Sequence, residues 1–261
     1  MVRASRDPWI RELRRGRQPV AHVVFFPHAG GAATFFTPFA PHFPDEFDLS
    51  AVQYPGRQER LAEPFVPTVE GLADQVVPSL RRYAETHVPL VLFGHSMGAT
   101  VAFETAVRLA AAHPGVPRHL VVSGRSAPSV HRSEGVHHGS DQEVMDHLAA
   151  LGGTGDGIVH SPDLMELLLP AIRNDYRAVE LYRPAVHTTV PVPVLCLTGE
   201  QDARVTPEDA AAWKRHTSGD FRQESFPGGH FFLSEHRAAV ARLVADRARS
   251  APWGTGRDSG G

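Results

Sequence analysis

A serine hydroxyl attacks carbonyls well only when a base lies within hydrogen-bond reach and a further group orients that base. One stretch of this sequence sets a serine up for such treatment. In VLFGHSMGAT, residues 91–100, an apolar run stops at Gly94-His95-Ser96-Met97-Gly98 and turns at once into helix-forming residues. The pattern is G-x-S-x-G between a strand and a helix. A turn that tight lifts the hydroxyl above the sheet edge and brings backbone so close that side chains at 94 and 98 would clash. It also aims the Met97 N–H at the reacting oxygen. The pentapeptide alone is common by chance; its placement between strand and helix gives it weight.

The partners follow in the chain order acid, then histidine. Asp202 directly follows the apolar strand of PVLCLTGEQD, at its carboxyl end. Glu200 in the same loop is a rival, as are Asp175 and Asp209 in helix-like segments. In SFPGGHFFLSEH, His230 comes after Gly228-Gly229 and before the last helix, on a loop free to meet the serine. His216 and His236 lie in helix-like segments, and His28 precedes the serine. With 16 histidines in the chain, most are structural or surface residues. Attack on an acyl carbonyl also needs donors for the oxyanion. The loop FPHAGGAATFF, residues 26–36, resembles the histidine-glycine loops that supply one such donor, making the backbone N–H groups of Ala29 and Met97 the candidates. The same glycines are not a phosphate loop, for neither G-x-G-x-x-G nor a following Lys-Ser/Thr is present. HFFLSEH and VHHGSD match no metal-binding spacing. No cofactor and no metal is expected.

The elements that must position these residues alternate. Strand candidates are HVVFFPHA (22–29), LSAVQYPG (49–56), PLVLFGH (89–95), HLVVSGR (119–125) and PVLCLTGE (193–200). They are continuously apolar, as strands covered on both faces are. Helix-like segments lie at 68–87, 97–113, 206–217 and 234–250, with Thr206 and Pro207 reading as N-cap and first helical position. The fold class is therefore α/β with a mostly parallel sheet. Between the fourth and fifth strands lie nearly 70 residues without a strand, carrying helix-like DQEVMDHLAALGG and SPDLMELLLPAIRNDYRAVELY. They read as a helical lid over the carboxyl ends of the strands, with two ordinary sheet-packing helices as the alternative. The expectation is one domain: a core over about 20–130 and 188–248, a lid over about 131–187, and a tail over about 250–261.

Composition narrows the class. Hydrophobic residues make up 42% and charged residues 21% of 261, ordinary globular usage. A net charge of −3 gives no electrostatic case for nucleic acid. The arginines at 3, 6, 11, 14, 15 and 17 read as a solvated extension, with a docking patch for an acidic partner as the alternative. The single cysteine, Cys196, lies in an apolar strand and reads as core. No signal-peptide core and no membrane span is visible, which points to the cytoplasm.

FFPHAGG, QYPGRQER, LFGHSMGA, TGEQD and FPGGHFFL, in this order from about residue 20 to residue 245, resemble the type II thioesterases that accompany polyketide and nonribosomal peptide synthases. The resemblance implies an α/β-hydrolase that cleaves acyl thioesters from the phosphopantetheine arm of acyl or peptidyl carrier proteins, clearing stalled or aberrant chains. It implies Ser96 as nucleophile, His230 as base and acid, Asp202 as orienting carboxylate, and Ala29 and Met97 as oxyanion donors. A medium-chain acyl-CoA or acyl-carrier thioesterase and a small-molecule esterase share the machinery. Arg132, Arg173, Arg177 and Arg183 either meet an acidic carrier or are ordinary solvated helix residues. A monomer is the default expectation.

Overall fold

The computed structural model describes residues 7–131, 135–152, 162–185 and 187–250. Seven strands form one sheet in the order β1-β3-β2-β4-β5-β6-β7. These are β1 (Ile10–Arg14), β2 (Ala21–Phe26), β3 (Phe47–Val52), β4 (Leu90–His95), β5 (His119–Ser123), β6 (Val194–Gly199) and β7 (Phe221–Phe226). Every neighbouring pair is parallel except β1 with β3. Strands β2, β4, β5 and β6 are buried along their whole length, which is why they read as unbroken apolar runs.

The helices are α1 (Val69–Ala84), α2 (Met97–Ala112), α3 (Asp141–Leu151), α4 (Pro162–Leu181), α5 (Pro207–Ala211) and α6 (Arg237–Arg249). Thr68 caps α1 by accepting from the Gly71 N–H, and Val69, Leu72, Ala73, Val76 and Leu80 make its buried stripe. Ser140 and Glu143 close a capping box on α3; Thr206 and Asp209 do the same on α5. One hydrophobic cluster lies between one sheet face and α1, α2 and α4. The other packs α6 and the phenylalanine-rich 3-10 segment Ala33–His42 on the opposite face.

The sheet begins earlier than the sequence reading placed it. The arginine-rich start is not wholly a solvated extension: β1 pairs with β3, and Arg14 donates to the carbonyls of Ala40 at 2.8 Å, Phe43 at 3.0 Å and Pro44. Strand β7 was also missed, because FRQESF is a half-exposed edge strand without an apolar run. The expected helix over 206–217 tightens after Ala211 into a 3-10 turn, Ala212–His216. In the stretch where a lid was expected, α3 and α4 give Leu148, Leu151, Met165, Leu168 and Ile172 to the cavity that also holds Ser96. Residues 153–161 and the tail beyond Ser250 lie outside the described residues.

Candidate active site

Ser96 sits between β4 and α2 with φ 55° and ψ −121°, a conformation that costs a non-glycine residue about 1–3 kcal/mol. The surroundings hold it there. Its N–H donates to Ser123 O at 2.8 Å, and its carbonyl accepts from Ala99 N–H at 3.0 Å. A Cβ on Gly94 would lie 2.2 Å from Gly98 O, and one on Gly98 would lie 2.0 Å from Phe26 O. Both glycines are therefore steric necessities, as the sequence predicts, and the second brings the start of α2 against the end of β2.

Asp202 and His230 come from the loops after β6 and β7. His230 Nδ1 and Asp202 Oδ2 are 2.8 Å apart, with both side chains buried. The other oxygen, Oδ1, accepts from Arg204 N–H at 3.0 Å. The two loops are stitched together: Gln201 N–H donates to Gly228 O at 2.9 Å, and Gly228 N–H donates to the Gln201 side-chain oxygen. A Cβ on Gly199 would fall 2.3 Å from Gly229 O, so the loops can approach this closely only with glycine there.

The rival residues are elsewhere. Glu200 is exposed, and Asp209 caps α5. Asp175 is buried in α4 against Arg57. His216 meets Ser129 N–H and Thr188 O, and His236 meets Pro227 O. His28 does reach the site, lining the same cavity as Ser96 and His230. Burial, aided by His230 and Arg57, holds its imidazole down at about 3. Burial also pushes His95 well below its ordinary value; its ring stands 5.1 Å from that of His230, and its Nδ1 lies 3.0 Å from Ser123 Oγ. Both imidazoles are thus neutral at neutral pH, that of His95 against His230 and that of His28 in the cavity His230 lines.

Ser96 stands where two cavities meet. The larger, about 350 Å³, has His28, Ala29, Ser96 and His230 at its floor, and Leu148, Leu151, Met165, Leu168 and Ile172 from α3 and α4 as its apolar wall. The smaller, about 40 Å³, lies on the other side and adds Met97, Gly124, Arg125, Ser126 and Arg204. Of the predicted site residues, Ala29, Ser96, Met97 and His230 line these cavities, and Asp202 reaches them through its contact with His230. Sequence reasoning missed Tyr176, which lines both cavities, and the pairing of Arg57 with Asp175. Of the arginines considered for docking, Arg173 donates to His137 O, Gly139 O and Asp141, and Arg183 to Glu180 O and Tyr182 O. Arg177 is exposed, and Arg132 lies outside the described residues.

A serine elbow after a central parallel strand, met by an acid and a histidine from the loops of later strands, is the arrangement of the α/β-hydrolases. Comparison with known proteins narrows that class. The thioesterase domain model matches residues 21–247, and the chain belongs to this family of thioester hydrolases. It is 37% identical over 249 residues to thioesterase PikA5 of Streptomyces venezuelae, covering 94% of this chain and 88% of that one. It is 40% identical over 237 residues to a "probable cadicidin biosynthesis thioesterase" of Streptomyces griseus, covering 91% of this chain but 65% of the relative, just under two thirds of its length. Among solved structures it is similar to BorB, the type II thioesterase of the borrelidin biosynthetic cluster, with a TM-score of 0.85 and 44% identity over 93% of this chain and 98% of that one. No helix among the described residues is long and apolar enough to cross a membrane.

Proposed function

We propose that this protein is a type II thioesterase that removes acyl groups from the phosphopantetheine arm of carrier proteins, clearing stalled or aberrant chains from a polyketide or nonribosomal peptide synthase. The observation that carries the reading is the buried 2.8 Å contact of His230 with Asp202 beside Ser96, at the floor of an apolar chamber. The relatives and the similar structure, all named as thioesterases and two of them tied to biosynthetic pathways, support the substrate class.

Asp202 accepts from His230 Nδ1–H and so leaves Nε2 as the base. His230 takes the Ser96 proton as Oγ bonds to the thioester carbon. The oxyanion forms against the N–H groups of Ala29 and Met97. The C–S bond then breaks, and the thiol leaves with the proton carried by His230. Water, deprotonated by His230, attacks the acyl-serine; the C–O bond to Ser96 breaks, Oγ recovers a proton and the acid departs. The larger, apolar cavity suits the acyl chain. The protein acts as a monomer in the cytoplasm, where its carrier partners work.

The test compares kcat/KM for one short acyl group on a carrier, on CoA and on free pantetheine. A strong carrier preference is expected. Equal rates would replace this reading with a general acyl thioesterase, and faster nitrophenyl ester hydrolysis with an esterase. Ser96→Ala is expected to fold and to be inert; retained hydrolysis would remove Ser96 from the mechanism.

A further inference from the structure

QYPGRQER, residues 53–60, takes no part in the proton transfers above, yet its polar groups turn toward the loop that carries Ala29. Gln53 is fully buried; its side chain accepts from Ala33 N–H at 2.9 Å and donates to Arg57 O at 3.2 Å. Arg57, 3% exposed, donates to Pro55 O and to Gly31 O, each at 3.2 Å. Its two terminal nitrogens meet the Asp175 carboxylate at 2.6 and 3.1 Å. The same carboxylate accepts from Gly30 N–H at 2.9 Å.

Asp175 belongs to α4, 145 residues from Gly30. The helix also touches the loop directly. Gly30 has φ +72°, and a Cβ there would fall 2.6 Å from Ile172 Cγ1. Gly30 N–H is thus held by α4, Gly31 O by Arg57 and Ala33 N–H by Gln53, on the residues just after the Ala29 donor. A bidentate pair of this kind fixes direction as well as distance. It is a poor source of net stability, because two charges must leave water and apolar residues of similar size often do as well. What it supplies instead is geometry.

We infer that Arg57 and Asp175 are positioning residues that hold the Ala29 donor in register and make that register depend on where α4 sits. The inference rests on the serine mechanism proposed above. An oxyanion donor must be held to within about 0.5 Å of its productive place, so a small displacement of α4 carries Gly30 with it and weakens the hole. The apolar wall of the acyl chamber and the oxyanion hole are then parts of one mechanical unit, since Ile172 and Tyr176 line the chamber on the same helix.

The test is the double variant Arg57→Met/Asp175→Leu, which removes both charges together. The thermal unfolding temperature should drop only modestly, through the partners lost by Gly30 N–H, Gly31 O and Pro55 O. On acyl-pantetheine, kcat should fall about 10- to 100-fold, as misplaced reacting groups do, with KM little changed. Affinity for a trifluoromethyl ketone analogue, which forms an oxyanion when Ser96 adds to it, should fall in parallel. Arg57→Lys, with charge but no fork, should lie between. Parental kcat and parental ketone affinity in the folded double variant would overturn the inference, as would a change confined to KM. If the double variant does not fold, Asp175→Asn is read by the same two assays with the same outcomes. Ser96→Ala serves as the separate control. Turnover in that variant sinks the underlying mechanism, whereas an inert Ser96→Ala beside a fully active double variant sinks only the positioning role.

Discussion

Replacing Asp202 by Asn changes little in shape and much in hydrogen bonding. In the parent, Oδ2 accepts from His230 at 2.8 Å while Oδ1 accepts from Arg204 N–H at 3.0 Å. An asparagine has one acceptor and one donor end. Keeping its oxygen on the Arg204 N–H turns its NH2 toward His230 Nδ1, which must then be an acceptor and carry its proton on Nε2. That tautomer offers Ser96 a donor where it needs a base. Flipping the amide would rescue the tautomer but set NH2 against the Arg204 N–H, two donors face to face in a buried site. Tautomer inversion of this kind lowers kcat about 10⁴-fold. At 1.36 kcal/mol per factor of ten, that is about 5 kcal/mol of transition-state stabilisation. Steady-state hydrolysis of a short acyl-pantetheine measures it, with thermal unfolding as the fold control. The expected result is a folded protein with near-parental KM and a collapsed kcat. A folded variant keeping kcat within about tenfold of the parent would refute the assignment and the hydrogen-bond reasoning together.

Gly98→Ala drives a Cβ to 2.0 Å from Phe26 O and 2.6 Å from Pro27 O, backbone that cannot step aside. It should destabilise by at least about 1–3 kcal/mol, lowering Tm by about 2–4 °C for each, whereas Gly229→Ala, with open space around it, should leave Tm near the parental value. His28 binds a proton near pH 6.5 when unfolded but only at about 3 when folded, so the unfolded state takes up more protons between those values. Its contribution is complete above pH 6.5 and falls as the pH drops toward 3. His28→Phe should therefore lose less Tm than the parent between about pH 7 and pH 4; parallel curves would show that His28 does not carry this dependence.

The parallel strands at the centre of the sheet were legible because each is buried on both faces and so written in continuous Val, Leu and Phe. Strands β1 and β7 were not. IRELR and FRQESF lie at the two edges, partly exposed, and their polar residues hide the strand period. The site divides in a similar way. Ser96, Asp202 and His230 are announced by their immediate neighbours, the glycines that close turns allow and the apolar strand that precedes each loop. Arg57 and Asp175 carry no such local sign. They are 118 residues apart, and Asp175 reads only as a rival triad acid in a helix-like segment until the fold brings it against Gly30 N–H. Side chains that act through their own turn leave a mark in the sequence; those that act across the fold do not.

Cys196 gains interest from the chemistry around it. It is the only cysteine in the chain, lies wholly buried in β6, and burial pushes its thiol up to about 12. Thiol–thioester exchange runs through the thiolate, so an accessible cysteine of ordinary acidity would compete with Ser96 for acyl groups. It could also capture the released pantetheine thiol as a mixed disulfide under oxidation. This protein presents neither hazard. On the proposed reading, a liberated pantetheine arm meets no cysteine thiol of this protein, because Cys196 is buried. Alkylating reagents for thiols should accordingly leave turnover untouched while labelling the freed carrier arm. The product can then be trapped and counted in the same vessel as the working enzyme.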